Sequence, residues 1–313
     1  MLKVKEKVLI TGGCGFIGAH ITNKLTANDY QVTIIDNLTS GKLSNIHHDL
    51  VTFYDISILD NKLREIILLE QPDYIIHLAA QVSVSHSIND VFLDENINIK
   101  GSLNVLEAAV QSKVKKIIYA SSAAVYGKPK YLPIDTLHSI NPVSPYGVSK
   151  YSVEKYIEMY GKLYGLDYTI LRFANVFGPL QDADGEGGVI SIFIDQLMQG
   201  NTPIIFGTGE QTRDFIYVED VAEANIKALY TGSSEVLNIS TGAEVSLNNL
   251  YKMMSNVTRS ELRPIYEDAR AGDIERSSLC NERTKRVLSW QPIYGLEDGL
   301  RETYRFYSSN CKL

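Results

Sequence analysis

The chain has 313 residues, of which 44% are hydrophobic and 21% charged, which is typical of a folded globular protein with a sizeable core. Its formal net charge of −7 argues against general nucleic-acid binding, although a local basic cluster could hold a phosphorylated small molecule. Three widely separated cysteines show no metal-binding spacing and imply no disulfide framework; with no membrane-spanning run or signal peptide, we expect a cytoplasmic protein and no bound metal.

The first half of the chain alternates predicted strands with predicted helices. Apolar, β-rich runs predict strands at 7–11, 31–36, 50–56, 74–80, 115–122 and 167–178. Amphipathic segments predict helices at 15–29, 57–71 and 93–112 and one that begins near 146. Such alternation is typical of a parallel sheet covered by helices. We therefore predict an α/β fold, a Rossmann-like doubly wound parallel sheet.

After residue 174 the alternation becomes irregular. A Gly- and Asp-rich loop, "GPLQDADGEGG", precedes a predicted helix at 189–200 and then a strand, loop, strand and helix over 202–230. We predict a dinucleotide-binding domain over 1–174, to which 215–242 return, and a smaller C-terminal α/β substrate-binding lobe over 175–313.

A glycine-rich loop, "TGGCGFIG", directly follows the first strand and opens the first helix. Gly12, Gly15 and Gly18 have a spacing that is a variant of the Rossmann fingerprint. Glycine allows a tight turn and a close backbone approach to a pyrophosphate, and the helix N-terminus adds amide donors. The alternative is a glycine turn in an α/β fold that binds no dinucleotide.

Two acidic residues follow the next strands. Asp36 ends the second strand at the distance expected for a carboxylate that binds the ribose hydroxyls. A carboxylate there would repel a 2′-phosphate, so the sequence favours NAD over NADP. Asp55 and Ile56, after the third strand, could contact the adenine.

Tyr146 and Lys150, in "SPYGVSK", stand one helical turn apart on the same face of a helix. A phenol beside an ammonium can be an acid/base pair, or it can be a half-exposed surface pair with no function. The two residues alone do not decide between these interpretations.

Nine motifs along the chain decide between these two interpretations of Tyr146 and Lys150. They are "TGGCGFIG", "DNLTSGK", "HLAAQ", "NIKGSLNVLEAA", "SSAAVYG", "PYGVSK", "LRFANVFGP", "RDFIYVEDV" and "ARAGDIERS". In sequence and spacing the chain resembles the extended short-chain dehydrogenase/reductases, specifically the UDP-glucose 4-epimerase-like nucleotide-sugar enzymes, nearly from end to end.

The resemblance implies an isomerase. Tyr146 would be the catalytic acid/base, and Lys150 would lower the tyrosine pKa from its usual value near ~10 and hold the nicotinamide ribose. Ser122 would hydrogen-bond the sugar hydroxyl at C4. Hydride would pass from C4 of a UDP-hexose to NAD, the 4-keto sugar would turn over, and hydride would return to the opposite face.

The resemblance also implies the lining of both sites. The cofactor site would comprise Gly12, Gly15, Phe16, Ile17, Gly18, Asp36, Asn37, Asp55, Ile56, Leu78, Ala79, Ala80, Gln81, Asn98, Tyr146 and Lys150. The substrate site would comprise Ser122, Ala123, Tyr146, Asn175, Arg213, Arg270, Asp273 and Ser277. In it, Arg213, Arg270 and Asn175 would contact phosphate and Asp273 the nucleotide ribose, whereas a lone arginine is ordinarily a solvated surface residue.

Related reactions remain as alternatives. The 4,6-dehydratases have an Asp-Glu pair where this chain has Ala123 and Ala124, and the uronic-acid enzymes have an arginine soon after "GP", where this chain has Leu180 and Asp182. Both reactions are therefore disfavoured. Ser277 stands where a large tyrosine would restrict the sugar, so UDP-N-acetylglucosamine and UDP-N-acetylgalactosamine are possible substrates besides UDP-glucose and UDP-galactose; a register shift would put Ser278 there.

The remaining expectations concern assembly. Tyr156, Tyr160 and Tyr164 recur every four residues, which indicates either core packing or an interface. Family members often pair through this helix, so the resemblance implies a homodimer through helices 95–111 and 150–164. The rival function is a non-catalytic NAD-binding sensor, but such proteins typically lack the tyrosine, lysine or serine that this chain has.

Overall fold

A computed structural model describes residues 5–183, 188–269 and 274–310. Its first part alternates strands and helices. In chain order these are β1 (Lys7–Thr11), α1 (Phe16–Ala27), β2 (Gln31–Asp36), β3 (Val51–Asp55), α2 (Leu63–Glu70), β4 (Tyr74–His77), α3 (Val84–Asn89), α4 (Val91–Glu95), a π-helical turn (Asn96–Lys100), α5 (Gly101–Gln111), β5 (Lys116–Ser122), α6 (Pro145–Tyr164) and β6 (Asp167–Phe173).

The second part has shorter strands. They and their helices are β7 (Asn175–Phe177), α7 (Val189–Met198), β8 (Ile204–Phe206), β9 (Thr212–Arg213), β10 (Phe215–Tyr217), α8 (Val218–Ala228), β11 (Glu235–Ile239), β12 (Val245–Ser246), α9 (Leu247–Thr258), β13 (Ile265–Glu267), α10 (Glu282–Leu288) and α11 (Leu296–Asn310).

Seven parallel strands form the central sheet in the order β11-β6-β5-β4-β1-β2-β3. The strand order reverses at β1 and β4, which is where α/β sheets of this kind bind ligands, beyond the carboxyl ends of the strands. Alternate residues of β1 serve opposite faces: Val8 and Ile10 pack with α1 and α8, and Leu9 packs with α2, α5 and α6. The α/β prediction with a doubly wound parallel sheet is confirmed.

A separate apolar cluster holds the smaller elements together. Phe177, Phe193, Val218, Leu250 and Leu300 belong to it, and they come from β7, α7, α8, α9 and α11. Short two-stranded pairings complete this region: β10 with β7, β12 with β9 and β13 with β8. By contrast, β11 leaves this region and pairs with β6 at the edge of the central sheet.

Helix α2 begins later than the sequence indicates, at Leu63 rather than near residue 57. The side chains before it satisfy the backbone in turns instead. Ser57 Oγ accepts from the Leu59 N–H at 3.2 Å, and Asp60 Oδ1 accepts from the Lys62 N–H at 2.8 Å. Short polar side chains compete with helix in this way.

The predicted strand at 167–178 is two strands in two different sheets. The chain turns at Ala174, whose N–H donates to Ile239 O at 3.0 Å, while the Asn175 N–H donates to Asp214 O at 2.9 Å. The apolar run continues through this break, so the sequence did not reveal it. Helix α3 was not predicted either.

Across the described part of the chain, no helix combines the length and the apolar character that crossing a membrane requires.

Candidate active site

The predicted cofactor residues gather at the carboxyl edge of the central sheet. Thr11, Asp36 and His77 end the neighbouring strands β1, β2 and β4. Asp36 pairs in register with Asp55 at the end of β3. Because the strands are parallel, the loops that follow them meet at one edge.

Two glycines of the glycine-rich loop lie very close to other backbone atoms. Gly12 has φ +75°, and a Cβ there would lie 2.8 Å from the Ala79 nitrogen. A Cβ on Gly18 would lie 2.0 Å from the Gly12 oxygen. Only glycine fits at both positions, so the loop can lie against the start of α1 and the loop after β4.

Gly15 is different because space remains beside it. A Cβ there would meet only Gly12 O, at 3.4 Å. Gly15 caps α1 without a side-chain hydrogen bond, and the first helical bond runs from the Ala19 N–H to Gly15 O at 2.9 Å. The amides of the first turn, including those of Phe16 and Ile17, therefore have no acceptor within the helix. A glycine beside open amides at a helix N-terminus fits a pyrophosphate.

Asp36 is buried and is oriented by the same loop. Its Oδ2 accepts from the Cys14 N–H at 2.9 Å, and its Oδ1 accepts from the Leu38 N–H at 2.8 Å. Each carboxylate oxygen retains a lone pair for a ribose hydroxyl. Burial, and then the Asp36 charge, raise the pKa of the Cys14 thiol to about 12, so this cysteine is a packing residue and no nucleophile.

The other predicted cofactor residues differ in exposure. Asn37 is exposed next to Asp36, and Asp55 is also exposed. The partly buried residues are Ile56, Leu78, Ala79, Ala80 and Gln81.

The tyrosine and lysine lie at the start of α6. Ser144 caps this helix by accepting from the Gly147 N–H at 3.1 Å, and Pro145 occupies the first turn. Tyr146 and Lys150 are both buried. The Lys150 Nζ donates to Ala120 O at 2.9 Å and lies 5.9 Å from the centre of the Tyr146 ring.

Ser122 ends β5, two residues after the carbonyl that accepts from Lys150. Its Oγ accepts from the Ala124 N–H at 3.2 Å, which caps a 3₁₀ turn over Ala123–Val125. The hydroxyl is partly exposed and keeps its own proton to donate. The structure therefore brings Ser122 to the same end of β5 at which it anchors Lys150.

Burial lowers the pKa of Lys150 to about 8, and the charges of Asp94 and then Glu154 oppose this by favouring the ammonium. Neither carboxylate was predicted to belong to the site. Glu154 lies one turn after Lys150 in α6, a spacing that the sequence does contain. Asp94 lies in α4 and is brought to the lysine by the tertiary fold alone.

Asp94 belongs to a buried amide network. Its Oδ1 accepts from Gln81 Nε2 at 2.9 Å and from Asn98 Nδ2 at 3.1 Å. Asn98 also exchanges hydrogen bonds with the backbone of Gln81, at 2.8 and 3.0 Å, and its Nδ2 lies 3.0 Å from Ser149 Oγ. Asn98 is predicted to bind cofactor, and in the structure its side chain holds the loop after β4.

A second buried network fixes Glu154. The Arg172 guanidinium donates through Nε and Nη2 to Glu154 at 2.9 and 2.5 Å, and Ser121 Oγ donates to the same carboxylate at 2.5 Å. Arg172 Nη1 donates to the Tyr126 hydroxyl at 3.0 Å. This network joins α6 to β5, β6 and the 3₁₀ turn, and sequence reasoning missed it.

The predicted substrate residues form a looser group. Asn175 is exposed at the start of β7. Arg213, in β9, is partly buried, and its Nη1 donates to Thr212 O at 2.8 Å and to Ile274 O at 2.6 Å. Arg270 and Asp273 lie outside the described residues.

The two candidate gate serines differ. Ser277 is partly exposed, whereas Ser278 is 2% exposed and its carbonyl accepts from the Ile134 N–H at 2.8 Å. Ser277 is therefore the better placed of the two to meet a ligand. No group of three or more His, Cys, Asp or Glu within the described ranges could hold a metal ion.

Comparisons with known proteins agree with this geometry. Residues 8–240 match the model of the NAD-dependent epimerase/dehydratase family. The UDP-glucose 4-epimerase of Mycolicibacterium smegmatis is 37% identical over 312 residues, which cover 98% of this chain and 100% of that protein. A crystal structure of UDP-glucose 4-epimerase from Thermotoga maritima with UDP-glucose has a TM-score of 0.95 at 42% identity and covers 97% of this chain and 99% of that chain.

A second solved structure is comparably similar. It is a UDP-N-acetylglucosamine 4-epimerase from Methanobrevibacter ruminantium in complex with UDP-N-acetylmuramic acid, with a TM-score of 0.94 at 38% identity, covering 98% of this chain and 99% of that chain.

Proposed function

Because the chain belongs to the NAD-dependent epimerase/dehydratase family, we propose that it is an isomerase that inverts C4 of a UDP-hexose with NAD as cofactor. The observation that carries this proposal is the buried Lys150 ammonium beside the Tyr146 ring, anchored at the end of β5 next to Ser122. Burial of an ammonium is costly, so a contribution to stability does not account for this arrangement.

The glycine cradle fits a dinucleotide. Gly15 and the free amides of α1 would hold the pyrophosphate, and Asp36 would bind the adenine ribose. Lys150 would hold the nicotinamide ribose. When bound, NAD supplies the acceptor and then the donor of hydride at C4 of the sugar. A carboxylate at Asp36 disfavours the 2′-phosphate of NADP.

The protein's own part is proton transfer and positioning. Tyr146 takes the proton of the C4 hydroxyl while the sugar is oxidised and returns it while the 4-keto sugar is reduced on its other face. The Lys150 charge stabilises the phenolate form of Tyr146. The Ser122 hydroxyl donates a hydrogen bond to the same sugar oxygen. Burial of the tyrosine and the lysine keeps water away from the exchange.

We further propose that residues 175–313 supply most of the nucleotide-sugar site and residues 1–174 the NAD site, with 215–242 returning to the latter. Arg213 and Asn175 would contact the diphosphate. By resemblance, Arg270 would also contact the diphosphate, and Asp273 would contact the nucleotide ribose. In support, Arg213 donates to the carbonyl of Ile274, next to the stretch that holds Arg270 and Asp273.

The competing reactions lack their groups in this chain. Ala123 and Ala124 are partly buried methyl groups and cannot supply the acid and base of a 4,6-dehydratase. In the loop after "GP", Asp182 would repel a C6 carboxylate. Lys42 reaches Asp182, with 3.7 Å between its Nζ and Oδ2, and it is exposed and already paired. UDP-glucuronate 4-epimerisation and decarboxylation are therefore disfavoured.

Ser277 sets the proposed sugar range. A small, partly exposed residue beside the C2 substituent leaves room for an N-acetyl group. We therefore include UDP-N-acetylglucosamine and UDP-N-acetylgalactosamine among the substrates. A Ser277→Tyr variant should lose N-acetyl-sugar turnover and retain UDP-glucose turnover, and an equal loss of both would contradict the gate.

The test of the reaction is direct. The protein is incubated separately with UDP-glucose, UDP-N-acetylglucosamine and UDP-glucuronic acid, and the anomeric protons are followed by NMR. We expect galacto-configured signals from the first two sugars, lost in Tyr146→Phe and retained in Tyr156→Phe, a matched helix tyrosine. Conversion of none of the three would refute the proposal, and NAD binding without conversion would favour a sensor.

The proposed assembly is a homodimer through helices 95–111 and 150–164. Its support is the apolar surface near their ends. Phe92 is 86% exposed just before the first helix, and Leu163 and Tyr164 are 64% and 57% exposed at the end of the second. Tyr160, by contrast, is buried and donates to Glu107, so it joins the two helices within one chain.

A further inference from the structure

A cavity of about 520 Å³ lies between the loop over 128–132 and the segment over 274–276. Its lining includes Lys128, Lys130, Tyr131, Glu275 and Arg276. None of these residues has a part in the proposed epimerisation. The lining is unusual for this acidic chain because, among its described residues, three of the five polar side chains are cationic.

The cavity adjoins the proposed sugar gate. Arg276, in one wall, directly precedes Ser277 in the chain. The two walls are joined by a short parallel bridge: the Ile134 N–H donates to Ser278 O and the Cys280 N–H donates to Ile134 O, each at 2.8 Å. Ser277 therefore lies in the chain between a residue that lines the cavity and the bridge that joins its two walls.

The cationic wall is held in place by fixed contacts. The Lys130 N–H donates to His138 Nε2 at 2.9 Å, and the Tyr131 and His138 rings lie 4.7 Å apart. Arg276 donates through Nε and Nη2 to Glu244 at 2.9 and 2.7 Å. These bonds leave Nη1 of Arg276 available as a donor. Preorganised donors lose little entropy when a ligand binds.

Among the described residues, no carboxylate neutralises the charge of Lys128 or Lys130. Both side chains are exposed, and within the described chain no carboxylate lies at ion-pair distance from either ammonium. Glu244 compensates Arg276, and Glu275 carries the one carboxylate among the described lining residues. A lysine on an open surface is ordinarily just solvated. Lysines that line a cavity beside a sugar site can also hold an anionic group of the sugar.

We propose that Lys128 and Lys130 form a subsite that binds an anionic group of the sugar. The enzyme would then accept UDP-N-acetylhexosamines in which a carbon next to C2, such as C3, carries a substituent that ends in a carboxylate. This rests on the proposed function, because Ser277 is the assumed gate. The subsite is distinct from recognition of a C6 carboxylate, which the loop around Asp182 disfavours. Affinity for such sugars should depend on the two lysines, whereas affinity for neutral sugars should not.

The experiment compares binding of three probes to the full chain by isothermal titration calorimetry, with turnover measured by NMR. UDP-N-acetylmuramic acid carries the carboxylate on a C3 ether, UDP-N-acetylglucosamine lacks it, and UDP-glucuronic acid carries it at C6. The variant is Lys128→Gln/Lys130→Gln. The control, Lys62→Gln/Lys252→Gln, removes two exposed lysine charges outside the cavity.

We expect the cavity variant to raise the Kd of UDP-N-acetylmuramic acid about 2- to 30-fold, since it removes two ion pairs and each exposed pair contributes about 0.2–1 kcal/mol. The Kd of UDP-N-acetylglucosamine should be unchanged, and high salt should reduce the difference. Equal changes for both probes, equal effects in the control, or no binding of UDP-N-acetylmuramic acid would overturn the subsite. Absence of turnover for both UDP-glucose and UDP-N-acetylglucosamine would instead overturn the proposed function.

Discussion

The charge of Lys150 depends on a carboxylate that belongs to another helix, and Asp94→Asn tests this dependence. Asp94 is 1% exposed and is held by amide donors from Gln81 and Asn98. Its charge is the largest contribution that favours the ammonium of Lys150 against burial. Asparagine keeps the size of the side chain and removes the charge. The lysine pKa, now about 8, should therefore fall.

The size of the effect follows from that value. A neighbouring opposite charge shifts a pKa by about 1–3 units, and the lower bound of about one unit corresponds to about 1.4 kcal/mol. With a pKa of about 8, some three quarters of Lys150 is charged at pH ~7.5, and one unit lower leaves about one quarter. Activity should fall about 3-fold at that pH, little near pH ~6.5 and about 9-fold near pH ~9.

The assay is the pH dependence of the epimerisation rate, followed by NMR with UDP-galactose. Its alkaline limb should move to lower pH in Asp94→Asn. Asp90→Asn is the matched control because Asp90 is exposed, caps the same helix and is not among the charges that shift the Lys150 pKa. A loss of activity that is the same at every pH would show that Asp94 acts only through structure and would refute the electrostatic reasoning.

Three further changes test separate parts of the site. Gly15→Ala should fold normally, since its Cβ meets only one oxygen at 3.4 Å, but should lose at least about 10-fold in NAD affinity; NAD retention equal to the unmodified chain's would contradict the cradle. Glu154→Gln leaves a buried arginine without its partner and should cost about 3–5 kcal/mol in urea unfolding, whereas Glu158→Gln, in an exposed pair, should cost under about 1 kcal/mol. Phe92→Asp should yield monomers by light scattering if the proposed dimer forms, and Leu69→Asp, exposed elsewhere, should not.

Most of the fold could be predicted because its signals are local. The β1 run, the glycines after it and the β2 run lie within thirty residues of one another, and each carries its own periodicity. The prediction errors arose where the sequence carries no local signal for the end of an element. The apolar pattern of 167–178 continues across Ala174. The strand is divided only because successive N–H groups donate to different partners, that of Ala174 to Ile239 O and that of Asn175 to Asp214 O.

The candidate site likewise contains some residues that the sequence reveals and others that it does not. Gly12, Asp36 and the Tyr146–Lys150 pair belong to contiguous motifs, so sequence reasoning named them. Asp94 lies in none of the quoted motifs, and Arg172 lies in "LRFANVFGP" without a signal of its own role. Both roles come from which helix or strand the fold places beside α6. A buried carboxylate that acts through space on a lysine more than fifty residues away leaves no periodic or spacing signal.

The second buried network, which holds Glu154, also joins the proposed proton-transfer site to the proposed sugar gate. The second network begins one turn after Lys150 and ends at the backbone beside Ser277. In order, it passes through Glu154, Arg172, Tyr126, Asn238, Ile134 and Ser278. All of these groups are buried, so each bond is costly to break. A substitution at the gate that shifted the Ser278 carbonyl would therefore be resisted by the bonds that position the catalytic helix. Because these bonds hold the backbone, we expect the range of accepted sugars to change through the size of the side chain at Ser277 and not through movement of its backbone.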